Sequence, residues 1–245
     1  MSGPRSAREI LGGLSPILAV QAEELRASGF FDDAARRLAD AEATDKARSA
    51  QADAAMLIGC GVPAKHARHL AKVTTPALGA RSTEAIRAVK SWLDGDDLML
   101  LLLGPHGVGK TFAASLAVYR RRGIMVPARR LLRDHMWCAE RRATISRVGL
   151  LAIDDVGREA TADAERTVEA IDEIVNVRCD AGLRTIVTGN LSLTRDVDHG
   201  IGAWADYIRE RGPTIATRLL EYGVTAEVAG GDLRAEEAAQ RSARG

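Results

Sequence analysis

The sequence LMLLLLGPHGVGKT, residues 98–111, decides the fold. Its first half is an apolar run of strand length, and its second half is a glycine-rich loop of the form G-x-x-x-x-G-K-[ST]. Residues 112–122 are rich in Ala and Leu and stop at Gly123, which predicts a helix. Glycines let backbone N–H groups curve around a polyphosphate, and a helix N-terminus adds a positive dipole end. The order strand, loop, helix therefore predicts a phosphate-binding loop; a glycine-rich turn that matches by accident is the alternative.

The loop assigns particular tasks to its last residues. Lys110 would reach the β- and γ-phosphates of a nucleotide, and the Thr111 hydroxyl would hold Mg²⁺. The nucleotide is predicted to be ATP, because the chain has no Asn-Lys-x-Asp guanine signature. The residues predicted to bind it are Gly104, Pro105, His106, Gly107, Val108, Gly109, Lys110, Thr111 and Phe112.

A second motif carries two carboxylates. The sequence LLAIDD, residues 150–155, is an apolar strand that ends in Asp154 and Asp155. A phosphate loop needs an acid on a neighbouring strand to orient the metal and its water shell, and we assign Asp154 to that task. Asp155 would polarise the attacking water. The alternative is a pair of N-cap residues for the next helix, where Asp is favoured.

Length and patterning predict an α/β protein with an appendage. The chain has 245 residues, and strand-like and helix-like segments alternate after the loop, which predicts a mainly parallel sheet covered on both faces. We predict three parts: a helical N-terminal region over residues 1–58, an ATPase domain over 59–229, and a polar C-terminal tail over 230–245 that is expected to be frayed. The N-terminal region is either a helical cap on the core or a module that docks a partner.

Cysteine and histidine usage excludes several classes of site. Cys60, Cys138 and Cys179 are isolated in the sequence, which argues against a disulfide framework or a structural zinc site. His66 and His69 could face one metal, but solvated or capping histidines are the better interpretation. No signal peptide opens the chain and no segment is long enough to span a membrane, so we expect a soluble protein of the reducing cytoplasm.

The chain resembles the AAA+ ATPases of the DnaC/IstB family, which are bacterial and phage helicase loaders and transposition helpers. The resemblance covers residues 59–235 and rests on four motifs: GPHGVGKT at 104–111, LLAIDDVG at 150–157, TIVTGNLS at 185–192 and ATRLLEYG at 216–223. It implies a five-stranded parallel sheet of order 5-1-4-3-2 flanked by helices, which is the AAA+ P-loop NTPase core. The cofactors implied are ATP and Mg²⁺.

The resemblance also implies further site residues. Asn190 would lie beside the γ-phosphate as a polar sensor, although Gly189-Asn190 is also good turn sequence. Arg218 matches the arginine finger that such proteins offer to a neighbouring subunit, which implies a homo-oligomer; a helix-surface Arg paired with Glu221 or Glu210 is the alternative. Arg234, in a Gly-Asp-Leu-Arg sequence, would contact nucleotide within its own subunit.

A basic segment suggests a polyanionic partner. Residues 120–147 carry nine Arg against Asp134 and Glu140, although the whole chain has a net charge of only +1. In the resembled family this part of the ATPase grips single-stranded DNA, and the planar guanidinium suits phosphate. A solvated helix face is the alternative. The residues predicted to contact DNA are Arg129, Arg130, Arg133, Arg141 and Arg142.

These observations lead to one function hypothesis and two alternatives. The sequence favours an assembly-dependent ATPase that acts in DNA replication as a helicase loader, with a replicative DNA helicase and single-stranded DNA as partners. An IstB-like transposition helper, whose partner is a transposase, shares the same core motifs. A nucleotide-dependent adaptor with little turnover is the third possibility, and Asp155 and Arg218 argue against it.

Overall fold

The computed structural model describes residues 30–72, 83–131, 139–156, 161–190 and 213–242. Its contacts divide the chain into two units, residues 1–51 and 52–245. In the first unit residues 30–51 are helical, and nearly all of the side chains that the structure describes there are exposed. The predicted boundary between residues 58 and 59 falls at the end of the helix α1 (Phe30–Gly59). The predicted division into 1–58, 59–229 and 230–245 stays a prediction.

The second unit is built on a five-stranded sheet. Its strands, in chain order, are β1 (Met99–Leu103), β2 (Ile124–Pro127), β3 (Leu150–Val156), β4 (Arg184–Gly189) and β5 (Gly223–Glu227). All neighbouring strands pair in parallel, and their spatial order is β2-β3-β4-β1-β5. This confirms the order 5-1-4-3-2 and the predicted α/β fold class.

Helices cover both faces of the sheet. The second unit includes the helices α2 (Ala64–Lys72), α3 (Glu84–Asp94), α4 (Lys110–Arg121), α5 (Ala139–Arg147), α6 (Thr161–Asp180), α7 (Pro213–Tyr222) and α8 (Leu233–Ser242). Side chains of α2, α3 and α4 pack in one core cluster with alternate residues of β1, while those of α5, α6 and α7 join a second cluster with the others. A parallel strand covered on both faces must be apolar on both faces, which explains the unbroken run at 98–103.

A capped helix and a glycine turn precede the sheet. Thr83 caps α3 by accepting a hydrogen bond from the Ile86 N–H at 3.3 Å, as expected for a hydroxyl residue at this position. The chain turns after α1 at Gly61, whose φ of 88° lies in the left-handed region. A Cβ on Gly61 would also collide with the Met125 carbonyl, so the glycine is required twice over.

A buried arginine anchors the amino end of the sheet. Arg178 on α6 is completely buried, and its guanidinium donates to the carbonyls of Ile145 at 2.7 Å, Val148 at 2.8 Å and Arg184 at 2.6 Å. Its Nε donates to the Thr185 hydroxyl at 2.9 Å. Burial lowers the pKa of Arg178 to about 10. One side chain thus ties the end of α5, the helix α6 and the start of β4 together.

One local expectation from the sequence is wrong: the C-terminal tail is not frayed throughout, because Leu233–Ser242 forms α8. The helix α4 stops before Gly123, as expected, and Arg122 takes the left-handed conformation at its end with a φ of 51°. A Cβ on Gly123 would collide with Leu150. In the described part of the chain, no helix is long and apolar enough to cross a membrane.

Candidate nucleotide-binding site

The glycine loop joins β1 to α4 at the carboxyl edge of the sheet. Gly104, Gly107 and Gly109 have φ values of 142°, 83° and 93°, a region that L-residues with side chains rarely adopt. A Cβ on Gly104 would also collide with the Val228 carbonyl. The helix begins at Lys110, so the N–H groups of its first turn face the loop. This curved backbone is suited to cradling an anion.

Lys110 is held inside the loop. Its side chain is 7% exposed, and its Nζ donates to the carbonyl oxygens of Gly104 at 2.7 Å and Pro105 at 2.6 Å. It also donates to the Asn190 Oδ1 at 3.0 Å. The loop therefore holds the ammonium group in place beside the tip of β4.

Asp154 lies beside both threonines that the loop and β4 present. Its Oδ1 accepts a hydrogen bond from the Thr188 hydroxyl at 2.7 Å, and its carboxylate also interacts with the Thr111 hydroxyl. Burial raises the pKa of Asp154, while the hydrogen bonds from Thr188 and Thr111 oppose the rise. Thr111 and Asp154 together offer the hard oxygen ligands that Mg²⁺ prefers. The described residues contain no cluster of three or more His, Cys, Asp or Glu that could hold a metal by themselves.

Asp155 contacts Asn190, whereas Asp154 contacts the two threonines. The Asn190 Nδ2 donates to its Oδ1 at 2.6 Å, so Asn190 bridges the Lys110 ammonium and the Asp155 carboxylate. Asp155 has a φ of 65°, unusual for a residue with a side chain. The residues that the sequence assigned to catalysis are therefore joined in one hydrogen-bonded chain, with Arg218 as the exception.

A C-terminal segment crosses the loop, and sequence reasoning missed most of it. The Val228 N–H donates to the Leu103 carbonyl at 2.8 Å, and the Leu233 N–H donates to the Gly107 carbonyl at 3.1 Å. The Asp232 side chain lies against Gly107. The only signal in the sequence was the Gly-Asp-Leu-Arg motif, from which a nucleotide contact was predicted for Arg234 and not for Asp232. The side chain of Arg234 lies outside the described residues, so its role stays a prediction.

Phe112 packs beside the loop in an aromatic group. The rings of His66 and His69, both on α2, each meet Phe112 edge-on with 5.4 Å between centroids. The His66 Nδ1 lies 3.3 Å from the Ser115 Oγ. Both histidines thus pack in the α2–α4 contact, whereas the sequence favoured solvated or capping histidines.

Arg218 lies near the amino ends of the strands, on the side of the sheet away from the glycine loop. Its guanidinium bonds to Asp180 at 2.6 Å, Asn176 at 3.0 Å and Glu221 at 3.3 Å. Asp180 ends α6 just before β4 begins, so this cluster lies at the amino edge, whereas the glycine loop lies at the carboxyl edge. Arg218 therefore cannot reach the glycine loop of its own subunit. The pairing with Glu221 is one that the sequence offered as an alternative.

The basic residues lie on the connection between β2 and β3. Arg129 and Arg130 lie in a helical segment that begins at Ala128, just after β2, and Arg141 and Arg142 belong to the first turn of α5; all four side chains are exposed. Arg133 lies outside the described residues. The exposure leaves these guanidinium groups accessible to a polyanion.

No protein-family model and no curated protein matches the chain. The chain is similar to several solved structures. A DNA replication initiation factor is 19% identical with a TM-score of 0.47, over 70% of this chain and 52% of that chain, so the chain spans about half of its length. DnaI is 20% identical with a TM-score of 0.44, over 61% of this chain and 82% of that chain. The DnaC helicase loader is 20% identical with a TM-score of 0.45, over 61% and 92%.

The sheet order, the glycine loop after β1 and the carboxylates in β3 occur together in this chain. The fold is that of an AAA+ P-loop NTPase.

The raised pKa of Asp154 predicts a stability cost in the ligand-free protein. The folded protein binds the proton on the Asp154 carboxyl more tightly than the unfolded chain does. The free energy of unfolding is therefore higher at low pH, and this gain is lost as the pH rises through the pKa of Asp154 in the folded state. We expect Asp154→Asn to raise the melting temperature at neutral pH, and the difference from wild type to shrink as the pH falls. Thermal unfolding between pH 4 and 8 measures this, with Asp94→Asn, an exposed carboxylate on α3, as the control. An equal gain for both variants would contradict the prediction.

Proposed function

We propose that the chain is an ATP-hydrolysing AAA+ protein that acts in DNA replication as a helicase loader and binds single-stranded DNA. The observation that carries the proposal is the hydrogen-bonded chain from Lys110 through Asn190 to Asp155, next to the Thr111–Asp154 pair. A phosphate-binding cation, a metal-binding pair and a polarised carboxylate are the parts that hydrolysis of a nucleotide requires. A purely structural site has no need for all three at one edge.

The residues present fit a magnesium nucleotide. The glycine backbone offers N–H groups to the phosphates, and Lys110 can turn from the Gly104 and Pro105 carbonyls to a phosphate oxygen. Thr111 and Asp154 would hold Mg²⁺, Thr111 directly and Asp154 through the metal's water shell. When bound, the metal neutralises charge on the phosphates.

Hydrolysis would depend on Asp155 and Asn190. The Asp155 carboxylate would orient a water molecule and accept its proton. The hydrogen bond from the Asn190 Nδ2 occupies the Asp155 Oδ1, which leaves the other carboxylate oxygen for the water. The Asn190 Oδ1 at the same time restrains the Lys110 ammonium. A change at Asn190 would thus disturb phosphate binding and water activation together.

Arg218 would act between subunits. Its position at the amino edge leaves a neighbouring subunit's nucleotide as the only one that it could serve. Its bonds to Asp180 and Glu221 would have to yield or rotate on assembly, and its side chain is 22% exposed already. An arginine supplied in this way neutralises transition-state charge and makes turnover depend on assembly.

DNA binding would use the four exposed arginines on the β2–β3 connection. Tracking of the phosphate backbone, not base stacking, is favoured by their guanidinium chemistry. The exposed helix α1 would dock the partner, which we propose is a replicative DNA helicase; a transposase would be the partner of a transposition helper. Such a protein acts in the cytoplasm, where its DNA is.

The first test is hydrolysis. We expect wild-type protein to release phosphate from MgATP, and Asp155→Asn to bind MgATP with affinity within about twofold of wild type but turn it over slower by a factor on the order of 10²–10⁴. Lys110→Ala should lose nucleotide binding, because the positive charge that meets the phosphates is gone. Phosphate release and fluorescent-nucleotide titration measure both. Asp94→Asn is the control. Binding without turnover in wild type would support the adaptor alternative instead.

The second test is assembly. Arg218→Ala should bind ATP normally and hydrolyse it more slowly, by a factor on the order of 10³ if it is an arginine finger. Mixing Arg218→Ala with Lys110→Ala should restore part of the activity, because an intact Arg218 then faces an intact loop in the neighbouring subunit. Arg166→Ala, an exposed arginine on α6, is the control. Absence of rescue together with a linear dependence of activity on protein concentration would contradict the proposal.

The third test is the salt dependence of DNA binding. Each phosphate contact on a single strand contributes a slope of about −0.7 to the logarithm of the binding constant against the logarithm of salt. Arg129→Ala with Arg130→Ala should therefore flatten the slope measured by fluorescence anisotropy. Arg37→Ala with Lys46→Ala, which removes two exposed charges from α1, should leave it unchanged. Equal slopes for the first pair and wild type would mean that the arginines are solvated surface only.

A further inference from the structure

Thr188 on β4 lies between the two carboxylates of β3. Its side chain is 1% exposed, and its hydroxyl makes two hydrogen bonds to neighbouring residues. It donates to the Asp154 Oδ1 at 2.7 Å and accepts from the Asp155 backbone N–H at 3.0 Å. A hydroxyl has one proton and can donate only once, so these two bonds use its donor and one lone pair in a single orientation.

The hydrogen bond from the Asp155 N–H to the Thr188 hydroxyl lies at an irregularity in the pairing of β3 with β4. Ile153 pairs with Val187, and the next pairing is Val156 with Gly189, so two residues of β3 stand opposite Thr188 alone. This is the arrangement of a β-bulge, in which the additional residue loses its ladder hydrogen bond. The Asp155 N–H, which lies outside the regular ladder, donates its hydrogen bond to the Thr188 hydroxyl instead. This bond supports Asp155 at a φ of 65°.

The bulge decides where the two carboxylates point. In a regular strand, successive side chains face opposite sides of the sheet, so an undistorted ladder would turn Asp154 and Asp155 to opposite faces. Here Asp154 meets Thr111 and Thr188, whereas Asp155 meets Asn190, and both lie at the same edge. A bulge is a known means of re-aiming a side chain beside a functional site.

We propose that Thr188 is a positioning residue that sets Asp154 for the metal and Asp155 for the water through one hydroxyl group. The inference rests on the proposed function and adds a residue to it. Threonine suits the role better than serine because its β-branch restricts χ1 and keeps the hydroxyl in the bulge. Valine has nearly the same shape but offers neither bond.

The test compares Thr188→Val and Thr188→Ser with Thr185→Val. Thr185 lies on the same strand, is fully buried and uses its hydroxyl to accept from Arg178, so its loss is a matched structural change away from the carboxylates. The measurements are the affinity of Mn²⁺ for the complex with a non-hydrolysable ATP analogue, by electron paramagnetic resonance, the steady-state kcat and KM for MgATP, and thermal unfolding.

We expect Thr188→Val to weaken Mn²⁺ binding about 10-fold or more, as loss of an outer-shell partner of a metal site does, and to lower kcat more than it changes KM. Thr188→Ser should recover most of both. Thr185→Val should lose thermal stability without changing Mn²⁺ affinity. Wild-type Mn²⁺ affinity and kcat in Thr188→Val, or equal losses in Thr185→Val, would overturn the proposal. If Thr188→Val does not fold, Thr188→Ala against Thr188→Ser decides by the same criteria.

The outcomes separate this inference from the proposed function. A wild-type protein that binds the Mn²⁺–nucleotide complex but shows no turnover would defeat the hydrolysis proposal, and the Mn²⁺ affinities would still support or overturn the role of Thr188. A wild-type protein that binds no Mn²⁺–nucleotide complex would overturn both.

Discussion

The parallel pairing of β4 between β1 and β3 is the constraint on which the site depends. β1 leads into the glycine loop and β3 carries the two carboxylates, but these strands are not neighbours. The tip of β4 fills the space between them, so Asn190 can reach Lys110 on one side and Asp155 on the other. Without this strand the cation and the carboxylates would have no common partner.

The same strand is fixed at its other end by a different interaction. Arg178 is fully buried and donates to three carbonyls and to the Thr185 hydroxyl. A buried charge is costly unless hydrogen bonds satisfy it, and here every contact serves to join α5, α6 and β4. The strand β4 is thus held by hydrogen bonds at its amino end, through Arg178, and at its carboxyl end, where Thr188 meets both acids.

The two edges of the sheet divide the chemistry of the chain. The carboxyl edge holds the glycine loop, the Thr111–Asp154 pair and the C-terminal segment that crosses the loop. The amino edge holds Arg218 in its cluster with Asn176 and Asp180. An arginine so placed has no access to its own site, which is why its proposed role requires a second subunit while that of Lys110 does not.

The sequence by itself determined the fold class and the positions of the loop and carboxylates, because a continuous apolar run, a glycine loop and alternating strands and helices are local patterns whose physical causes act within a few residues. The sheet order was predicted from the family resemblance, because the order of strands in a sheet depends on segments that are far apart in the chain. Tertiary structure alone decided how Thr188 contacts both acids, that β3 is bulged at Asp155 and that Asp232 lies against Gly107. It also decided the burial of Arg178, which sequence reasoning did not single out. These features depend on strands and segments far apart in the chain, and a hydroxyl or a guanidinium shows its partners only when packing has brought them within hydrogen-bonding distance.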